Sequence, residues 1–248
     1  RDSNNRLAWT LSTFASFLTM IFTILLCFEV SYKSNISYYL GNWPPPLGIE
    51  YVIDRISIIP IMIVSVIGLI ATLFAHNFFT LEIDEKLVSK TYSLWLLTIA
   101  GLIGLITTAD AFNLFVFLEI SSLSAVALVA LGSKVDRKAL VAGYNYLILG
   151  AVGATFYVIG VGLLYGVTGT LNMGDLAQKI PALGLNKSVI VAFTFMMLGI
   201  MVKAAVFPLH IWLPNAYAYA PSPVSVLLAA TATKVSIYII CLLYTSDA

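Results

Sequence analysis

Glu119, Lys203 and Lys234 lie inside apolar stretches of the chain, where a charge is costly and therefore informative. Glu119 is about 9 residues into an apolar run, or roughly 13 Å along a helix that rises 1.5 Å per residue, close to the middle of a bilayer. Lys234 is midway along another run, and Lys203 is four residues before the end of a third. Each such charge costs on the order of 2.5 to 3.5 kcal/mol on insertion scales. Low dielectric disfavours an ammonium and a nearby carboxylate favours it, so a buried amine keeps or yields its proton according to its partner's distance. These residue types therefore suit proton transfer: Glu119 approaching or leaving Lys203 loads or releases it, and Lys234 accepts next, through water. A structural reading stands beside this one, in which a Glu–Lys pair pins two helices, or the lysines snorkel to the surface on their stems. A static pair leaves the second lysine unexplained.

The stretch "MVKAAVFPLHIWLP", Met201 to Pro214, places Lys203 beside a helix break. Pro208 removes a backbone hydrogen bond, and at membrane depth the freed carbonyls are tolerated only against protein or a water-lined cavity. The chain is expected to resume as a second half-helix, "LHIWLPNAYAYA", with Pro214 expected as a helix break beside Pro208. Broken helices of this kind mark ion sites in transporters. His210, beyond Pro208, is of the residue type that can take up and release a proton in relays, and suits either that role or a hydrogen bond to a backbone carbonyl that holds the break. His76 falls at a span end and reads as interfacial.

The elements that must hold these groups follow from composition. The 248 residues are 60% hydrophobic and 10% charged, with a mean hydropathy of +0.97, which makes this an integral membrane protein. Apolar runs predict about seven spans: Leu7–Phe28, Ile56–Ala75, Tyr92–Thr108, Ala111–Leu131, Leu140–Tyr165, Val189–Phe207 and Val224–Tyr244. Arg1 and Arg6 precede the first run, but it is longer than a signal peptide's apolar region and no small-residue cleavage site follows. The fold class is all-α, a polytopic transmembrane helix bundle. "NWPPPLG", residues 42–48, is a loop, with Trp43 at the interface. Asp110 and Ser222-Pro223 are expected helix N-caps. Gly101, Gly104, Gly150 and Gly153 have the small-residue spacing of closely packed helices.

Other chemistries lack their residues. A net charge of +1 gives no surface for nucleic acid. Cys27 and Cys241 sit in apolar runs without ligand spacing, so no metal and no cofactor is expected. The sequence has no Ser-His-Asp set and no glycine-rich phosphate loop. If the N-terminus, the 76–91 loop and the 132–139 loop share a side, that side holds Arg1, Arg6, Lys86, Lys90, Lys134, Arg137 and Lys138. Lys33, Arg55, Lys179 and Lys187 lie on the other side. The positive-inside rule then puts the N-terminus in the cytoplasm of a cell that carries the chain in its plasma (inner) membrane.

"KAAVFPLHIWLPNAYAYAPSPVSVLLAATATKV", "DAFNLFVFLEISSLSAVALVAL" and "GVGLLYGVTGTLNMGDLA" resemble the antiporter-like subunits shared by Mrp-type sodium/proton antiporters, membrane-bound hydrogenases and respiratory complex I. The resemblance runs from about Gly41 to Tyr238. It implies a proton-translocating subunit without redox chemistry of its own, working with other membrane subunits, protons and Na+ in a lipid bilayer. Glu119 matches the family's glutamate, Lys203 the lysine of its broken helix and Lys234 the lysine of the next helix. The family fold has about fourteen helices in two inverted repeats. Residues 1–248 therefore read as a single-domain fragment, with 57–244 mostly the first repeat and Thr245 to Ala248 departing from the family pattern. "APSPVSVLL" and Lys234 resemble the D-type member of Mrp antiporters or its hydrogenase relative, with a complex I subunit as the alternative. The chain departs from the family at Asn215, Tyr217 and Tyr219, where acidic residues or histidine are common, which leaves the cytoplasmic mouth without an acidic group.

Overall fold

A computed structural model describes residues 2–184 and 186–244; Arg1 and residues 245–248, named above, lie outside the described residues. In chain order the elements are α1 (Asp2–Lys33), β1 (Ile36–Tyr39), β2 (Glu50–Ile53), α2 (Ile58–Glu82), α3 (Glu85–Thr107), α4 (Ala111–Ala130), α5 (Lys138–Thr168), α6 (Met173–Ala182), α7 (Lys187–Lys203), α8 (Trp212–Tyr219) and α9 (Ser222–Tyr244). The architecture is a helix bundle with one exception to all-α: β1 and β2 form an antiparallel hairpin, Ile36 opposite Ile53 and Tyr39 opposite Glu50, joined through the proline-rich loop.

Six described helices are long and apolar enough to cross a bilayer, not seven. The expected sixth span is shorter than its apolar run: α7 has 17 residues, about 25 Å, and stops at Lys203. The expected 76–91 loop is a short turn at Ile83 and Asp84, so Lys86 and Lys90 sit in the first two turns of α3. His76 belongs to the body of α2, where its ring lies 4.1 Å from that of Trp9 on α1. α1 turns Leu7, Leu11, Phe14 and Phe22 outward, as a lipid-facing helix does.

The interior is close-packed where glycines allow it. A Cβ on Gly153 of α5 would lie 3.0 Å from the Gly199 carbonyl of α7, and one on Gly160 would lie 2.6 Å from the Ala192 carbonyl. The α5–α7 backbones thus approach at small residues, as membrane helices do when dispersion and not hydrophobic exclusion drives association. Trp95 of α3 is fully buried, packs edge-on against Phe79 of α2 at 5.6 Å, and donates its indole N–H to Thr72 Oγ1 at 2.8 Å.

Hydrogen bonds fix the two ends of the bundle. At one end Asn5 donates to the Glu85 carbonyl (3.2 Å) and Lys134 to the Ile83 carbonyl (3.0 Å). At the other, Ala109 N–H donates to the Glu50 carbonyl (2.9 Å), Met173 N–H to the Ala109 carbonyl (2.8 Å) and Asn172 Nδ2 to Glu50 Oε2 (3.0 Å). Asp110 caps α4 by accepting from Asn113 N–H at 2.7 Å. Ser222, however, is the first residue of α9 and not its cap. Its N–H and hydroxyl donate to Glu82 Oε2 and Oε1, both at 2.6 Å, so a carboxylate at the end of α2 caps α9 from across the bundle. The α9 amides are orphaned at this end, and a carboxylate satisfies them and complements the helix dipole.

Glu82→Ala removes both bonds to a charged acceptor and is expected to cost about 2 kcal/mol. Thermal unfolding in detergent checks this; an unchanged melting temperature would contradict the capping role.

Candidate functional site

α7 ends at Lys203 by its own backbone chemistry. Ala205 N–H donates to the Val202 carbonyl (3.2 Å) and Val206 N–H to the Met201 carbonyl (3.1 Å), with Ala205 left-handed at φ 53°. This is a Schellman ending with alanine where glycine is usual. The stop is therefore complete before Pro208, which lies in the following turn and bars the helix from resuming early. Pro214 breaks nothing: it is the third residue of α8, where the proline's missing N–H has no intrahelical partner to lose. The break is braced by Trp212 of α8, whose indole N–H donates to the Val202 carbonyl at 2.9 Å and whose ring stacks on Tyr146 of α5 at 4.2 Å and 5°.

Lys203, buried with 8% of its surface exposed, points from the end of α7 into the bundle. Its ammonium donates to Ser122 Oγ on α4. A Cβ on Gly150 of α5 would stand 3.1 Å from Nζ, so a residue with a side chain would crowd the ammonium there. Glu119 lies one helical turn before Ser122 on the same face of α4. It is half-buried, within electrostatic reach of Lys203, and its Oε1 is buried without a hydrogen-bond partner among the described residues. A cavity of about 30 Å³ adjoins the lysine, lined among others by Thr98 of α3, Ser121 and Ser122 of α4, Tyr146 of α5 and Ser236 of α9. That volume accommodates about one or two waters, and the hydroxyls supply the polar partners a buried water needs.

The structure sets Glu119 within electrostatic reach of Lys203, without a direct bond between them among the described residues, and keeps Lys234 apart. Ala232, Ser236 and Ile239 are the α9 residues that face the cavity beside Leu228, spaced on one side of the helix. Lys234, two residues from Ala232 and Ser236, is rotated about 200° from the former and is exposed. It donates to Thr233 Oγ1 at 3.3 Å and to the Ala229 carbonyl. His210 is also outside the cavity lining; its ring lies 5.6 Å from that of Phe207, and its Nδ1 is buried without a partner among the described residues. No carbonyl is held by that nitrogen. Ser122, Tyr146, Gly150 and Trp212 were not singled out by sequence as parts of a site; the signal was a serine doublet one turn beyond a membrane-buried glutamate.

A family model described as "NADH:quinone oxidoreductase/Mrp antiporter, TM" matches residues 108–247. The chain belongs to this family. The matched stretch contains Glu119, Lys203, His210 and Lys234 together. Among relatives, the N-type subunit of the NADH-quinone oxidoreductase of Desulforudis audaxviator is 48% identical over 201 residues, covering 81% of this chain and 39% of the relative. The D-type subunit of a probable K(+)/H(+) antiporter of Rhizobium meliloti is 38% identical over 217 residues, 84% of this chain and 37% of the relative. A chain of the membrane-bound sulfane sulfur reductase, an archaeal respiratory membrane complex, superposes with a TM-score of 0.87 at 34% identity over 96% of this chain and 48% of that one. The chain thus spans half or less of the length of these relatives. The family and the long apolar helices together make it a multi-pass membrane protein.

For this family member the helix ending is open to test by two substitutions. Ala205→Gly relieves the left-handed alanine and should stabilise the protein by about 1 kcal/mol. Trp212→Phe keeps the stack on Tyr146 but removes the indole bond to the Val202 carbonyl, leaving that carbonyl only its backbone donor, and should cost about 1 kcal/mol. Both are read by thermal unfolding in detergent.

Proposed function

We propose that the chain is part of a proton-translocating subunit of a multisubunit monovalent cation (Na+)/H+ antiporter, with Glu119 and Lys203 as the groups that exchange the proton. The single observation that carries this reading is a buried ammonium within electrostatic reach of a half-buried carboxylate that has one oxygen enclosed and unpartnered among the described residues, the ammonium standing beside a cavity that can hold water. A pair kept only for packing would close on itself, since an unpaired acceptor in low dielectric costs free energy. Here one carboxylate oxygen is left open, so a change in distance or hydration shifts the balance between charged and neutral lysine. Lys234 acts at a later step, on the far side of α9, and His210, in the turn between α7 and α8, serves as a relay. The end of the bundle formed by the start of α1, the α2–α3 turn and the start of α9 faces the cytoplasm, from its excess of lysine and arginine.

A second reading is favoured by the 48% identity to an N-type subunit of a quinone oxidoreductase: the same proton-transfer pair in a redox-driven complex, where this chain carries no electrons. The two parents differ in what drives the proton.

The test uses the full-length gene with its neighbouring subunits, in a host lacking its own antiporters. A respiration-driven pH gradient is built in everted vesicles and sodium or potassium is added. Collapse of the gradient by the cation with wild type, and none with Lys203→Met or Glu119→Gln, is the expected outcome. A wild type indifferent to both cations points to the redox-driven parent. An active Lys203→Met protein would make the buried lysine structural and end the proton-transfer reading.

A further inference from the structure

We propose that Ser122 is a positioning residue that seats the Lys203 ammonium one turn away from Glu119, giving the lysine two places to stand, the hydroxyl seat and the carboxylate. The inference rests on the reading of Glu119 and Lys203 as the proton-exchanging pair and adds what holds them apart.

The seat is built by four helices that close on themselves. Lys203, the last residue of α7, donates to Ser122 Oγ on α4. Ser122 and Tyr146 of α5 line the same small cavity, their hydroxyls within interaction range of one another. The Tyr146 ring lies flat on Trp212 of α8, and the Trp212 indole N–H bonds the carbonyl of Val202, the residue before Lys203. Displacing the ammonium therefore disturbs a circuit that also braces the end of its own helix. Gly150, one turn after Tyr146 on α5, keeps the opposite wall without a side chain.

Ser122 and Glu119 are three residues apart on one helix face, so a lysine side chain pivoting at the end of α7 passes from one to the other by a short swing. A carboxylate alone would trap the ammonium, because a buried ion pair in low dielectric is hard to separate. A hydroxyl that accepts from the ammonium offsets part of that attraction, and the adjoining cavity lets water reach the amine while it is seated there. Serine suits the role because its hydroxyl both accepts and donates and carries no charge of its own.

The experiment measures initial rates of proton translocation by the complete complex in membrane vesicles, normalised to the amount of assembled protein. Ser122→Ala should slow transport by about tenfold, the size of one lost hydrogen bond to a charged group. Ser122→Thr, which keeps the hydroxyl, should restore most of the rate, a rescue that a packing role does not give. Tyr146→Phe keeps the stack on Trp212, and its smaller loss should not add to that of Ser122→Ala. Should Ser122→Ala fail to assemble, Ser122→Cys, similar in size but a weak acceptor, carries the same comparison. A wild-type rate in Ser122→Ala or Ser122→Cys, with Lys203→Met inactive, would overturn the seat and leave the pair standing. Equal losses in the alanine and threonine variants would also overturn it. Full activity of Lys203→Met would instead sink the proton-exchange reading on which the seat rests.

Discussion

An ammonium group held inside an apolar bundle is the constraint on which the rest of this structure turns. Lys203 is almost fully enclosed, and a charge there is tolerable only if protein polar groups replace the water it gave up. Ser122 of α4 accepts from the ammonium, Glu119 of the same helix lies within electrostatic reach, and hydroxyl-bearing residues of α3, α5 and α9 line the adjoining cavity. These polar residues sit on otherwise apolar helices, and each faces inward at the level where α7 ends.

Ending a helix at that depth creates a second problem, since its last carbonyls lose their intrahelical donors. The chain answers locally, with two backbone bonds of the Schellman kind, and at long range, with the Trp212 indole. Because Trp212 also stacks on Tyr146, the side chain that adds a second donor to the Val202 carbonyl is packed against the wall of the cavity beside the lysine. The close α5–α7 approach at Gly153, Gly160 and Gly199 then fixes where the end of α7 sits relative to Tyr146 and Gly150. The capping of α9 by Glu82 sets the start of the helix that brings Ser236 to the cavity.

Much of this was legible in the sequence. Apolar runs located six of the spans, because twenty or so residues with at most a charge or two have few other stable environments. Glu119 and Lys203 were visible for the complementary reason, as charges where charges are costly. The expected end of the sixth span was wrong because the apolar run continues past the last helical residue: hydropathy measures where a segment can reside, while the α7 ending is a matter of backbone hydrogen bonds at Met201, Val202, Ala205 and Val206. The small hairpin escaped notice for a similar reason, its strands being four residues each and defined by pairing with one another.

The sequence by itself determined that the chain crosses a membrane several times, which family it resembles, and that a carboxylate and two amines fall within its apolar stretches. Only the tertiary structure decided which of them meet. Helical phase separates Lys234 from the cavity, although in sequence it lies between two residues that line it, Ala232 and Ser236. Ser122 joins the site because α4 and the end of α7 meet at that level. Spacing along one chain specifies a residue's depth and its face on a helix, but contact between helices depends on how their surfaces pack, a property of all the side chains at the crossing together.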